Sequence, residues 1–124
     1  MIVFCRESFP TTRVDIDILL GAELAGRLGH EIGFVMQAGS QDRHPGPHLW
    51  YGRTVWVGPT DDGRGVIRRL RKYLSSVWHD LCVLFSVSRG RYQAIQVRDK
   101  FLTGVIAAMV ARIRGLRFFY WLSF

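Results

Sequence analysis

The chain has 124 residues, of which 48% are hydrophobic, so it is long and apolar enough to form one domain with a buried core. Its 17 Lys and Arg residues against 10 Asp and Glu give a formal net charge of +7, which indicates an anionic partner: phosphate groups, an acidic membrane surface or nucleic acid. No apolar run approaches the ~20 residues of a membrane-spanning helix, and the run that opens the chain is predicted to be a strand rather than a signal peptide.

The first 37 residues predict a strand–helix–strand unit. Residues 1–5 form an apolar strand, and residues 6–12 follow as a polar loop. A helix is predicted over residues 15–28, with Gly29 as its C-cap, and a second strand over residues 31–36.

Residues 38–52 are predicted to be a long irregular loop, because Gly, Pro, Ser and polar residues crowd together there. Its two histidines, His44 and His48, are interpreted as solvated, since the prolines between them forbid a helix that would let them share a metal ion. An alternating strand over residues 53–58 and a long amphipathic helix over residues 65–84 follow.

The long helix begins with a basic cluster made of Arg68, Arg69, Arg71 and Lys72. These cations lie near the positive end of the helix dipole, which costs a few tenths of a kcal/mol or more each. The default interpretation is a solvated helix face. The alternative is contact with anionic lipid headgroups, because Tyr73 and Trp78 lie nearby.

The last third of the chain predicts a second strand–helix–strand unit. A strand over residues 94–97 is followed by Asp99 as a helix cap, a helix from residue 101 that Gly115 ends, and an apolar strand over residues 116–124 that is expected to be buried on both faces. The helix has one face of small residues that would let it lie close to the sheet: Gly104, Ala107, Ala108 and Ala111.

Five strands with helices between most of them predict an α/β fold, with a mainly parallel sheet and helices on both faces. Residues 1–124 are expected to be one domain that is incomplete at its C-terminus, because the chain stops within an apolar strand. The chain has no G-x-G-x-x-G, P-loop or G-x-S-x-G motif and no metal-site spacing, so neither a cofactor nor a metal ion is expected and no residue is assigned a catalytic role.

Ligands of parallel sheets bind at the carboxyl ends of the strands, and these ends supply the candidate binding residues. They are Arg6, Ser8, Thr11, Thr12, Arg13, Arg98, Asp99 and Ser123. The fixed charges of Arg6 and Arg13 suit a phosphate or pyrophosphate, so the loop after the first strand is the preferred site. Asp99 is assigned first to helix capping, and Arg98 to a pair with Asp99 or to solvent.

Several short motifs in a fixed order resemble one enzyme family. They are S-F-P at residues 8–10, L-A-G-R-L-G-H-E-I at 24–32, Y-Q-A-I-Q-V-R-D at 92–99 and R-G-L-R-F-F-Y-W at 114–121. Together they resemble the N-terminal domain of the retaining family 4 glycosyltransferases, whose GT-B architecture places a cleft between two Rossmann-like domains. The chain departs from that family at residues 11–14, where a Gly-Gly loop is common, and at Ser123, where a His is common.

The resemblance implies that the chain holds the acceptor side of the cleft, while a nucleotide-sugar donor binds mainly to a domain beyond residue 124. Alone, the chain is then expected to be inactive. The implied acceptor is a sugar or a lipid-linked sugar. Peripheral contact with an anionic membrane is expected from the basic cluster of the long helix instead, and no nucleic-acid partner is expected. The alternative is a non-catalytic subunit or binding module that pairs with a separate donor-binding chain or with a membrane. Cys5 and Cys82, interpreted as buried thiols, favour a reducing, cytoplasmic compartment.

Overall fold

The computed structural model describes residues 1–9, 31–38, 45–50, 52–59, 64–86 and 90–122. Within these residues, six strands form one sheet and two helices pack against it. The elements are β1 (Ile2–Phe9), β2 (Gly33–Ala38), β3 (Gly46–Trp50), β4 (Arg53–Val57), α1 (Val66–Ser86), β5 (Ala94–Arg98), α2 (Phe101–Arg114) and β6 (Arg117–Trp121).

The strand order across the sheet is β3-β4-β2-β1-β5-β6. Every neighbouring pair is parallel except β3 and β4, which are antiparallel. The predicted α/β class with a mainly parallel sheet is therefore confirmed. Parallel strands need long crossover connections, and α1 and α2 provide two of them, between β4 and β5 and between β5 and β6.

Both described helices lie on the same face of the sheet. Side chains of α1 and α2 share one core cluster with alternate residues of the central strands: Ile2, Phe4, Val35, Ile95, Val97, Val83, Leu84, Ala107, Val110 and Ala111. A second cluster, which includes Val3, Cys5, Phe34 and Val55, lies on the opposite face. The helix predicted over residues 15–28 falls outside the described residues.

The helix α2 matches its sequence signals except at its first turn. Gly115 takes a left-handed conformation with φ 68° at the C-cap, and Gly104 and Ala107 are buried against the sheet as predicted. The N-cap, however, is Lys100, and its side chain makes no capping hydrogen bond. Asp99 is one residue too early for this role and has a φ of 54°, so its prediction as the cap residue is wrong.

The predicted loop over residues 38–52 contains the strand β3, so the prediction of an irregular segment there is wrong. β3 is one of the two edge strands of the described sheet, where Pro47 is tolerated because an edge residue needs no N–H donor on its outer side. His48 is half-buried and stacks on Phe9 with ring centroids 5.7 Å apart, so it is not the solvated loop histidine that the sequence suggested. His44 falls outside the described residues.

The first strand is longer than its apolar run. β1 continues through Arg6 and Ser8 to Phe9, with a register shift against β2 between Phe4 and Ser8. The predicted loop therefore begins too early, because hydrogen bonds to β2 continue beyond the apolar residues. β2 likewise continues to Ala38, beyond its predicted end at residue 36.

Two burial predictions are also wrong. The strand β6 lies at the edge of the sheet next to β5 and is mostly exposed, with Phe119 and Trp121 each about half accessible to solvent. Cys82 is exposed on α1, whereas Cys5 is buried as expected.

Candidate functional site

The strand order reverses beside β1. From β1 the chain builds outward through β2 and β4 on one side, and it then returns to build β5 and β6 on the other side. The reversal therefore lies between β1 and β5. In parallel sheets the crevice outside the carboxyl ends of the strands at this point is the usual ligand site. The carboxyl edge formed by β1, β2, β4 and β5 is therefore the candidate site.

A buried ion pair lies at this edge, between β1 and β5. The Nε of Arg98 is 3.9 Å from Oε1 of Glu7, and only 6% of the Arg98 side chain and 16% of the Glu7 side chain are exposed. The second carboxylate oxygen of Glu7, Oε2, is buried and has no hydrogen-bond partner in the part of the chain that the structure describes. An unsatisfied buried acceptor costs free energy. A donor group supplied by a ligand would satisfy it.

A second buried ion pair connects α1 with the start of α2. The Lys100 ammonium donates to both carboxylate oxygens of Asp80 at 2.9 Å, and the Thr103 hydroxyl donates to Oδ2 of Asp80, also at 2.9 Å. Asp80 is almost fully buried, so its carboxylate has lost its hydration. The Lys100 ammonium and the Thr103 hydroxyl compensate this desolvation. This cluster holds the β5–α2 turn, and with it Arg98 and Asp99, against α1.

His79 precedes Asp80 on α1, and its ring lies beside Gly58, just after the end of β4. Burial lowers the pKa of His79 below its usual 6.5, the Asp80 carboxylate acts in the opposite direction, and the Lys100 ammonium lowers the pKa further. The ring packs close to Gly58, where a Cβ atom would be only 3.1 Å from Nδ1. A neutral imidazole is therefore favoured at the carboxyl edge.

The candidate binding residues are only partly brought together. Arg98 lies at the carboxyl end of β5, where the register that pairs Phe4 with Val97 places it beside the second half of β1. Arg6 and Ser8 are exposed on β1, and Asp99 is half-buried. The Arg98 guanidinium pairs with Glu7, a partner that the sequence interpretation did not include. The remaining candidates lie outside the described residues: Thr11, Thr12, Arg13 and Ser123.

Sequence reasoning missed the carboxylates of this edge. Glu7 follows the apolar residues of β1, where the sequence pattern predicts a loop. Asp80 had a usable signal, since it lies three residues after Val77 and four before Leu84, within the buried stripe of α1. A carboxylate in such a stripe indicates a buried cationic or hydroxyl partner.

The basic cluster lies on the exposed first half of α1. All four of its members are exposed: Arg68, Arg69, Arg71 and Lys72. None of the helices in the described residues is both long and apolar enough to cross a bilayer. Within the same residues, no group of three or more His, Cys, Asp and Glu side chains is arranged to hold a metal ion.

No protein-family model matches the chain, and comparison with curated proteins and with solved structures found no match either. The resemblance to family 4 glycosyltransferases therefore remains a hypothesis that rests on the order of the sequence motifs.

Proposed function

We propose that the chain is the Rossmann-like, acceptor-side domain of a GT-B glycosyltransferase that moves a sugar from a nucleotide-sugar donor to an acceptor. The donor side of the cleft would belong to a second domain or chain. The acceptor would be a sugar or a lipid-linked sugar, and the protein would work in the cytoplasm, on or near an anionic membrane.

The observation that carries this proposal is the position of Glu7. It lies at the carboxyl edge beside the reversal of strand order, and its Oε2 is a buried acceptor without a described donor. Sugars present hydroxyl donors, and a hydrogen bond from a hydroxyl to a carboxylate is charge-assisted and therefore strong. The Arg98 guanidinium lies on the β5 side of this carboxylate, 3.9 Å from Oε1, and Oε2 is left without a described donor.

Two exposed side chains of β1 complete the proposed acceptor side. Arg6 carries a fixed positive charge and suits a phosphate on the acceptor or the donor, and Ser8 supplies a hydroxyl that both donates and accepts. Both are immediate sequence neighbours of Glu7 on the same strand. The motif order at residues 8–10 and 92–99 supports the same edge, because these motifs include the ends of β1 and β5.

The test uses the complete protein encoded by the reading frame that contains this chain. Transfer is measured with a panel of nucleotide sugars and with sugar and lipid-linked acceptors. We expect Glu7→Gln to raise the acceptor KM by about 10- to 100-fold, the range expected for a lost hydrogen bond to a charged group, while the donor KM stays within about twofold.

The matched control is Glu31→Gln. Glu31 also pairs with an arginine, Arg91, but it precedes β2 at the opposite edge of the sheet and is exposed. This control should leave both KM values unchanged. Thermal melting separates a loss of acceptor binding from a loss of folding. Absence of sugar transfer from every donor, or an unchanged acceptor KM in folded Glu7→Gln, would refute the proposal.

One observation favours the second candidate, a non-catalytic subunit or binding module. Both Arg98 and Lys100 at the carboxyl edge already pair with carboxylates of the chain. If transfer appears only when a separate donor-binding chain is added, and Glu7→Gln does not change the acceptor KM of that mixture, the subunit is the better description.

A further inference from the structure

The first half of α1 extends beyond the carboxyl edge of the sheet. Ser76 accepts a hydrogen bond of 2.9 Å from Nε2 of Gln37, near the carboxyl end of β2, and His79 packs beside Gly58, just after β4. The helix runs antiparallel to the strands that it connects, so residues before Ser76 lie past this edge. Residues 66–74 are all exposed, and at 1.5 Å per residue they extend for about 13 Å.

This projecting half carries an exposed apolar stripe, formed by Ile67, Leu70, Leu74 and Trp78. The spacing of three, four and four residues places these side chains within an arc of about 80° at 3.6 residues per turn. Ile67 is 84% exposed and Trp78 is 69% exposed. Such a stripe is normally buried against another apolar surface, and a shallow groove runs along it here.

Cations border the stripe on one side. Arg71 follows Trp78 around the helix, and Arg68 and Lys72 come next, all exposed. There is no acidic residue in α1 before Asp80, and Asp80 is already paired with Lys100. Cations near a helix N-terminus oppose the helix dipole, so this arrangement does not serve the stability of the helix.

We propose that the projecting half of α1 is an interfacial anchor that binds an anionic lipid bilayer, with the apolar stripe at the boundary of the acyl chains and the three cations at the headgroups. An exposed apolar stripe bordered by Arg and Lys is the arrangement by which helices lie in a membrane interface. The anchor lies at the same end of the sheet as the carboxyl edge. Its binding to lipid does not depend on the proposed function.

Charge complementarity selects the bilayer over a second copy of the chain. Pairing of two α1 helices along this stripe would bury it, but Arg68, Arg71 and Lys72 would meet no acidic side chain of the partner helix. Anionic headgroups supply that counter-charge, and each basic residue near such a surface strengthens binding about fivefold.

The experiment measures co-sedimentation of the full chain with vesicles of phosphatidylcholine alone and of phosphatidylcholine with about 30% phosphatidylglycerol. We expect binding to the anionic vesicles that Arg68→Gln/Arg71→Gln weakens about thirtyfold. Ile67→Ser should weaken it about tenfold or more, through the loss of apolar burial. Lipid addition should shift the tryptophan emission to the blue in the wild type but not in Trp78→Phe.

Matched controls lie on other elements. Ile113 on α2 is 80% exposed, nearly as much as Ile67, and Arg112 and Arg117 are exposed cations of α2 and β6. Ile113→Ser and Arg112→Gln/Arg117→Gln should each change binding less than threefold. Equal binding to neutral and anionic vesicles would overturn the proposal. So would an equal loss in the matched controls, or a lipid-free dimer that Ile67→Ser dissociates.

Discussion

Replacing Asp80 by Asn would leave the Lys100 ammonium buried without its counter-charge. In the folded chain Nζ of Lys100 lies 2.9 Å from both carboxylate oxygens, and only 9% of the Lys100 side chain and 2% of the Asp80 side chain are exposed. Removal of one member of a buried pair costs about 3–5 kcal/mol of unfolding free energy, because the other charge stays desolvated. For a domain of this length that loss lowers the Tm by roughly 10–20 °C.

The rescue is Asp80→Leu/Lys100→Met, which removes both charges and keeps apolar volume in their place. Replacement of a whole buried pair is often neutral or stabilising, so the double variant should recover most of the stability that Asp80→Asn loses. The Thr103 hydroxyl, which then loses its acceptor, lies on the third residue of α2 and has a backbone carbonyl one turn earlier as an alternative. Urea unfolding, monitored by circular dichroism, gives the unfolding free energy of the wild type, the single variant and the double variant.

The matched control is Glu31→Gln, which breaks an ion pair of similar length at the surface. Nη2 of Arg91 is 2.7 Å from Oε1 of Glu31, but 39% and 49% of these two side chains are exposed. Solvent screening limits such a pair to about 0–1 kcal/mol. A loss of unfolding free energy in Asp80→Asn that is no larger than in Glu31→Gln would contradict this account of the buried pair. So would a double variant that is as unstable as Asp80→Asn.

Two further predictions concern packing and protonation. A methyl group added by Gly104→Ala would lie 2.6 Å from Cε2 of Tyr120. Overpacking of this kind costs about 1–3 kcal/mol of unfolding free energy, whereas the gain in helix propensity is about 1 kcal/mol. We therefore expect a net loss of up to about 2 kcal/mol of unfolding free energy. In a Tyr120→Ala background the same change should stabilise the chain, and an equal loss in both backgrounds in urea unfolding would contradict this. Burial lowers the pKa of His79 below 6.5 in the folded chain, so the unfolded chain binds a proton at His79 more readily. The contribution of neutral His79 to stability is therefore complete above about pH 6.5 and is lost as the pH falls through the lowered pKa. His79→Gln should therefore show a smaller fall in Tm between about pH 7.5 and pH 5.5 than the wild type, and equal falls in the two proteins would show that His79 does not titrate as described.

Much of the α/β class could be predicted from the sequence alone, because its signals are local. The apolar stripe of α1, the left-handed Gly115 that ends α2 and the short β-branched run of β5 each depend on a few neighbouring residues. Alternation of strands and helices along the chain then predicts parallel strands, and the sheet confirms this for five of the six described strands.

The elements that the sequence did not predict are those that depend on their neighbours in the sheet. β3 contains Gly46 and Pro47, which locally indicate a loop, and it becomes a strand because β4 offers it an antiparallel hydrogen-bonding edge. β6 has the apolar composition of a buried strand, yet it lies exposed at the other edge. Whether a strand lies at the edge or in the centre depends on the whole sheet, and the composition of that strand alone does not encode it.

The candidate site, too, could be predicted only in part from the sequence. The sequence placed the site at the carboxyl ends of the strands, and Arg98 does lie there, but its pairing with Glu7 depends on β1 and β5 being neighbours. Asp80 and Lys100 meet because α1 and the start of α2 pack on the same face of the sheet. The sequence by itself determined which residues carry charge and where the described helices and all described strands except β3 lie. Only the tertiary structure decided which charges meet, since the chain must first bury its apolar faces in one particular strand order.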